Sequence, residues 1–318
     1  MKKLLYLSNL ELTCLGEKLS DSKKKIFKVF LNSLNKVTIV YRCLGDKYLN
    51  KQYKTSVDNI NVLSKLIFLY GDKGKLFYEE LDQKTFNTDI NKVGEREITF
   101  IYNKMKKIFV YKDISSPKTI KSIELLSDKE LDFMSFWKKI SITKWKHMFD
   151  ELSEKERIAV RDYYVAILHT VGLAGYGRNS YFLSTSKDPN IGYEMNINYE
   201  IEIVGWTNKK TSNQYGKDFF DKNNQVIEKL HFPIISNQVF PSQEEITCKC
   251  GILPHFIIGY CYNNGKTFEV NPCVFKKQDF HNVSQDGLPI DQSKFYLNLQ
   301  KTNYKSTYIY LDDLYFQV

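Results

Sequence analysis

Three short segments carry side chains suited to a charged, hydroxyl-rich substrate. Arg42 closes the β-branched and aromatic run Val37 to Tyr41, and a guanidinium at a strand end can fork onto a phosphate with two charge-assisted hydrogen bonds. Ser184-Thr185-Ser186 ends a second run, Tyr181 to Ser184. Hydroxyls there can bind a ribose or orient a neighbouring carboxylate. The third segment is Phe240-Pro241-Ser242-Gln243-Glu244-Glu245, leading into Ile246-Thr247-Cys248. Alternation with a period of two puts Gln243 and Glu245 on one side of that strand, where a carboxylate can face a cleft. A slip of one residue would exchange Glu244 for Glu245. Each segment also has a plainer use: an Arg pairs with a surface carboxylate, hydroxyls bond the local backbone, and acids guard a strand end.

The elements that must position these residues follow from hydrophobic spacing. Residues 21 to 36 read as a helix, with Ile26, Phe27, Phe30, Leu31 and Leu34 on one stripe and Lys23, Lys24, Lys25 and Lys28 largely on the wet face. Residues 60 to 112 read as hairpins. Leu66 to Tyr70 and Lys75 to Tyr78 would flank a Gly71–Gly74 turn, and Ile98 to Tyr102 and Ile108 to Tyr111 would flank a second. Residues 122 to 170 read as helices, with capping boxes at Ser127/Glu130 and Ser153/Glu156 and a Gly-rich stop from Gly172 to Gly177. The C-terminal half reads as strands: Ile197 to Val204, Glu245 to Cys250, Phe256 to Tyr262, Thr267 to Val270, Phe295 to Leu299 and Thr307 to Tyr310. The order is α/β, then helical, then β-rich.

Composition bounds what these elements can build. The 318 residues suit one large domain or two ordinary ones. Hydrophobic residues at 42% and charged residues at 26% allow a packed core. The net charge of +9 favours encounter with polyanions without conferring specificity. No apolar run reaches the ~20 residues a membrane span needs, and no secretory signal opens the chain, so the six Cys are expected reduced in a cytoplasmic protein.

In that order and context, the three segments resemble the arginine–serine–glutamate class of mono-ADP-ribosyltransferases, the clan of bacterial and phage toxins and defence enzymes. That class has a strand-end Arg, then Ser-Thr-Ser on a later strand, then a loop running into Gln-x-Glu. The resemblance implies an α+β fold, a split β-sandwich with helices, in one domain spanning 1–318. Residues 50–120 are then an insertion, since Arg42 and Ser184 lie 142 residues apart. It implies NAD+ as substrate and no metal. Glu245 would stabilise the charge on the ribose, Ser184 would steady Glu245, and Gln243 with Phe240 would recognise the acceptor. Arg42, Ser184, Thr185, Ser186 and Lys187 would bind the dinucleotide, Lys187 replacing the Arg usual after the serine strand, with Arg178 just before that strand as another candidate. In that class a Gln at this position goes with Asn, Cys or nucleic-acid acceptors more than with Arg, and RNA or DNA is expected slightly ahead of protein. An antitoxin or inhibitor protein would be a partner, and no membrane would be.

Other readings remain. Cys248, Cys250, Cys261 and Cys273 offer four thiols, but Cys-x-Cys on a strand matches no familiar zinc knuckle and core packing suits them better. Cys43 or Cys14 with His169 or His255 carries no local signature of a nucleophile pair. Asn264-Gly265-Lys266-Thr267 resembles the tail of a phosphate loop, yet Tyr260 stands where its leading Gly belongs, and a hairpin turn fits. The main rival is a basic nucleic-acid-binding protein without catalysis, with rings such as Tyr102 and Tyr304 stacking on bases.

Overall fold

The computed structural model describes residues 4–34, 37–72, 93–111, 131–170, 182–191, 198–207, 215–216, 226–234, 244–249, 251–276 and 279–289. They fall into two compact units. The first comprises Met1–Glu79, Leu183–Asn213 and Ile246–Val318; the second comprises Glu80–Phe182 and Gln214–Glu245. The expected insertion, 50–120, is thus shared between them.

The first unit is built on a mixed sheet. Its strands are β1 (Glu11–Cys14), β2 (Glu17–Lys18), β3 (Thr38–Leu44), β4 (Phe182–Ser186), β5 (Ile201–Thr207), β6 (Glu245–Lys249), β7 (Ile257–Tyr262) and β8 (Thr267–Val270). They lie in the order β2-β1-β8-β7-β5-β3-β4-β6. β5 is buried along its whole length, as its apolar run Ile-Glu-Ile-Val-Gly-Trp demands of a central strand. It pairs antiparallel with β3 from Thr38↔Thr207 to Leu44↔Ile201. A register irregularity between Val204 and Gly205 interrupts its pairing with β7. Gly205 is required there, since a Cβ would meet the Phe256 carbonyl oxygen at 2.7 Å. β1 joins β8 in parallel.

Helices cover both faces of this sheet. Val40 and Leu44 of β3 point to the face covered by α2 (Asp46–Tyr53) and α3 (Ile60–Tyr70), where they share a core with Leu49, Tyr53, Leu63 and Ile67. On the other face lies α1 (Asp21–Ser33), whose start is capped by Ser20. Phe27 stacks on Phe268 at 5.8 Å, and Phe30 meets Trp206 edge-on at 6.0 Å. Lys23, Lys24, Lys25 and Lys28 are exposed, as the helical stripe requires.

Among its described residues the second unit is mainly helical, with one short strand, Tyr215–Gly216. It contains α4 (Glu95–Lys106), continued by a π-helical turn (Lys107–Tyr111), then α5 (Leu131–Lys139), α6 (Ile142–Asp150) and α7 (Glu154–Thr170). Trp137, Trp145 and Tyr164 form its aromatic centre, with ring centroids 4.8 and 5.2 Å apart. Arg161 is buried between Glu97 and Asp162. Ser153 and Glu156 form the expected capping contacts, with Glu156 accepting from the Ser153 backbone at 2.9 Å.

Among the described residues of 60–112 the expected hairpins are replaced by helices, and Lys75 to Tyr78 lies outside the described residues. Leu66 to Tyr70 completes α3, and Ile98 to Tyr102 lies inside α4. Buried Leu63 and Ile67, and buried Ile98, Ile101 and Met105, recur at helical spacing. Short β-branched and aromatic runs do not distinguish a buried helix from a strand, and tertiary burial decided for helix. The first strand of the C-terminal half begins later than expected, at Ile201, and reaches Thr207. The Ser127/Glu130 box, the Gly172–Gly177 stop and the runs at 295–299 and 307–310 lie outside the described residues.

Candidate functional site

Arg42 sits between Val40 and Leu44 and therefore points to the α2/α3 face. Its Nε donates to Asp72 Oδ2 at 2.5 Å and its Nη1 donates to the Ser184 carbonyl at 2.7 Å. The guanidinium lies over the Tyr48 ring, 5.3 Å from its centroid. Tyr48 also donates its hydroxyl to Asp72 Oδ1 at 3.0 Å. The Asp72 side chain is 0% exposed and that of Arg42 19%. Burial works against the Arg42 charge, but the Asp72 carboxylate overrides it and holds the group more basic than usual. Burial, then the Asp72 charge, pushes the Tyr48 phenol up, so it stays a donor. Among the described residues the Tyr48 hydroxyl is the one further hydrogen-bond partner of the guanidinium.

The sheet narrows beside this cluster. β3 and β5 share seven register pairs, whereas β3 and β4 share only Tyr41↔Ser186. In a continued antiparallel ladder the Ser184 carbonyl would be taken by the β3 backbone. Here the Arg42 side chain takes it instead. Beyond the narrowing, Thr185 Oγ1 donates to the Ile246 carbonyl at 2.5 Å and ties β4 to β6. Ser186 Oγ accepts from the Asp188 backbone at 2.9 Å.

The three sequence segments fall on three successive strands, β3, β4 and β6, but Leu183, Ile246 and Cys248 share the core of Val40 and Leu44, so alternation turns Ser184 and Glu245 to the face opposite Arg42. Ser184 is half-buried, Thr185 and Ser186 are buried, and Lys187 is half-buried just past β4. Glu245 opens β6 and is half-buried. Glu244 stands just outside the strand, exposed, with a left-handed φ of 40°. The alternation that separates the two acids thus begins at Glu245. Phe240 and Gln243 lie outside the described residues. Sequence reasoning missed Asp72 and Tyr48. Asp72 was expected within a turn, yet its backbone pairs with Ile252 and its carboxylate is the counter-charge of Arg42. A buried Arg demands a buried acid, but nothing in the sequence says which.

Two further carboxylates are buried. Glu269 accepts from Thr13 Oγ1 at 2.6 Å, Ser64 Oγ at 3.1 Å and the Gly16 backbone at 3.2 Å. These bonds tie the β1–β2 turn and α3 to β8. Glu202 lies across β5 from Cys43 on one side and Cys261 on the other. Cys43 Sγ donates to its Oε1 at 3.8 Å. Burial raises the Glu202 carboxyl to about 7.

Among the described residues no group of three His, Cys, Asp or Glu is placed to hold a metal. Cys248, Cys261 and Cys273 are buried thiols. His255 is buried in the first unit, where desolvation lowers its imidazole to about 3. Asn263, Asn264 and Gly265 take positive φ and turn β7 into β8, the hairpin expected in place of a phosphate loop. Among the described residues no helix is long and apolar enough to cross a membrane.

Comparison with protein-family models, with curated proteins and with solved structures finds no match.

Proposed function

We propose that the chain is an NAD+-dependent mono-ADP-ribosyltransferase of the arginine–serine–glutamate type, with a split β-sandwich core. The observation that carries this is the order of the strands. The Arg, the Ser-Thr-Ser and the Glu segments, far apart in sequence, occupy adjacent strands at the point where the ladder between β3 and β4 is reduced to one pair. The described strands form one continuous sheet, and what supports a split sandwich is the single register pair that joins β3 to β4, beside which Arg42 bonds to the Ser184 carbonyl.

On this reading the bond between nicotinamide and ribose breaks, nicotinamide leaves with the bonding pair, and positive charge develops on the sugar. Glu245 stabilises that charge, which counts most where water is sparse. Arg42 and Lys187 face the pyrophosphate, the β4 hydroxyls orient Glu245 and the ribose, and a nucleophile of the acceptor forms the new bond to the sugar. Gln243 and Phe240 recognise that acceptor. The net charge of +9 favours a nucleic acid, in a toxin or an antiphage effector acting in the cytoplasm under an inhibitor's control.

The test is incubation of the protein with labelled NAD+ and, separately, bulk RNA, single-stranded DNA and a cell lysate, beside Glu245→Gln. Label on one acceptor class, absent with the variant, is the expected result. No consumption of NAD+ in any mixture removes the proposal and leaves a non-catalytic nucleic-acid-binding protein. An unchanged rate in Glu245→Gln removes the assignment of Glu245.

A further inference from the structure

We infer that Asp72 and Tyr48 are positioning residues for an anion subsite on Arg42, one that takes the pyrophosphate of a dinucleotide. The inference rests on the proposal that Arg42 faces that group. It adds the residues that make Arg42 able to do so.

A guanidinium is a flat fork with five N–H donors. Three contacts from three elements fix its plane here. Asp72 holds the Nε edge, the Ser184 carbonyl holds Nη1, and the Tyr48 ring lies against one face. Among the described residues the guanidinium's five donors meet Asp72, the Ser184 carbonyl and the Tyr48 hydroxyl, which leaves donors over on a side chain that is 19% exposed. Exposure runs the same way, since Asp72 is wholly buried and Arg42 is not. The inner edge is anchored and the outer edge is offered. Asp72 is itself held from two sides, by the Tyr48 hydroxyl and by its paired backbone bonds with Ile252. It therefore cannot follow Arg42 if Arg42 moves.

The pair is neutral, so attraction at a distance does not supply anion affinity. That affinity must come from the preset direction of the free donors, as it does for bidentate Arg–phosphate contacts. A pair serving the fold alone has no need of an open edge.

Inorganic pyrophosphate, titrated calorimetrically at low ionic strength, separates the two. Wild type is expected to bind it. Arg42→Lys keeps the charge, loses the fork, and is expected to bind about tenfold more weakly. Asp72→Ala frees the guanidinium and is expected to weaken binding by about tenfold or more, the worth of one charge-assisted hydrogen bond. Asp72→Asn keeps the shape and an acceptor oxygen while removing a negative charge beside the ligand, so its affinity is expected to equal or exceed that of wild type. Tyr48→Phe, which releases one side of Asp72, is expected to weaken binding several-fold and serves if Asp72→Ala does not fold. Three results overturn the inference: no binding by wild type, undiminished binding by Asp72→Ala (or by Tyr48→Phe in its place), or an Asp72→Asn variant as weak as Asp72→Ala. With NAD+, Asp72→Ala is expected to raise KM with little change in kcat, the signature of lost ground-state binding. Pyrophosphate binding that follows this pattern in a protein that leaves NAD+ intact defeats the transferase and keeps the subsite. NAD+ turnover with pyrophosphate binding indifferent to position 72 does the reverse.

Discussion

Arg42 bonds to the backbone of Ser184, not to its side chain. The two residues thus separate by substitution. Ser184→Ala leaves the carbonyl in place, so its effect on stability is expected to stay within about 0.5 kcal/mol. If the proposed transfer from NAD+ takes place, it is expected to fall by tenfold or more, because the proposed role of this hydroxyl is to orient Glu245. Arg42→Met leaves Asp72 charged, buried and unpaired, and is expected to cost roughly 3–5 kcal/mol. Urea unfolding of the two variants, beside NAD+ consumption, gives both quantities. A large stability loss in Ser184→Ala would mean that the hydroxyl serves the fold.

Glu202 makes stability depend on pH near neutrality. Its folded value of about 7 lies above the ordinary carboxyl value of 4.5. Ionising it costs the folded state more than the unfolded one. Stability is therefore expected to rise as pH falls from about 7 toward 4.5. Tyr41, Tyr6, Asp188, Cys43 and Cys261 surround this carboxyl, and none carries a positive charge. Glu202→Gln is expected to gain about 2–3 kcal/mol at pH 8 and nothing at pH 4.5. A gain that is the same at both values would show that the carboxyl titrates alike in the folded and unfolded states, and that burial does not raise it.

His255 acts in the opposite sense. Burial lowers its folded value to about 3 from 6.5. Its neutral ring is fully accommodated above pH 6.5, and stability is lost as pH falls below that, down to about 3. Between 6.5 and 4.5 the Glu202 gain and the His255 loss oppose each other. In a Glu202→Gln background the acid limb is expected to begin near pH 6.5 with a slope of about one proton. His255→Phe in that background is expected to flatten it, read from thermal midpoints across pH 4 to 8. A limb that survives His255→Phe would assign it to other groups.

The hairpin of β7 and β8 was legible because its signals are local. Thr267–Val270 and the Asn264-Gly265 turn declare a hairpin through alternation and left-handed residues alone. The α3 and α4 segments were misread because Leu66 to Tyr70 and Ile98 to Tyr102 are too short and apolar to fix a period by themselves. The bond from Arg42 to the Ser184 backbone carbonyl is not something a motif spells out; the motifs only put the two residues in one ordered set. Asp72 and Tyr48 could not come from it, since a buried counter-charge is chosen by the tertiary fold and leaves no spacing rule behind.

Gln52 is the clearest local conflict in the first unit. It lies on α2 one turn beyond Tyr48 and is 1% exposed, and neither its Nε2 nor its Oε1 has a hydrogen-bond partner. A buried amide in that state costs roughly 1–3 kcal/mol. Replacing it with a side chain of similar length and no polar atoms removes the cost while keeping the contacts with the α2/α3 core. Gln52→Met is therefore expected to raise the unfolding free energy by about 1 kcal/mol, seen as a higher urea midpoint at an unchanged slope. Gln52→Ala gives up the same amide but leaves a cavity, so it is expected to fall below Gln52→Met by about 1–2 kcal/mol. If Gln52→Met lowers the midpoint, the amide is worth more in place than removed, and its unpaired state is not the one the protein holds in solution.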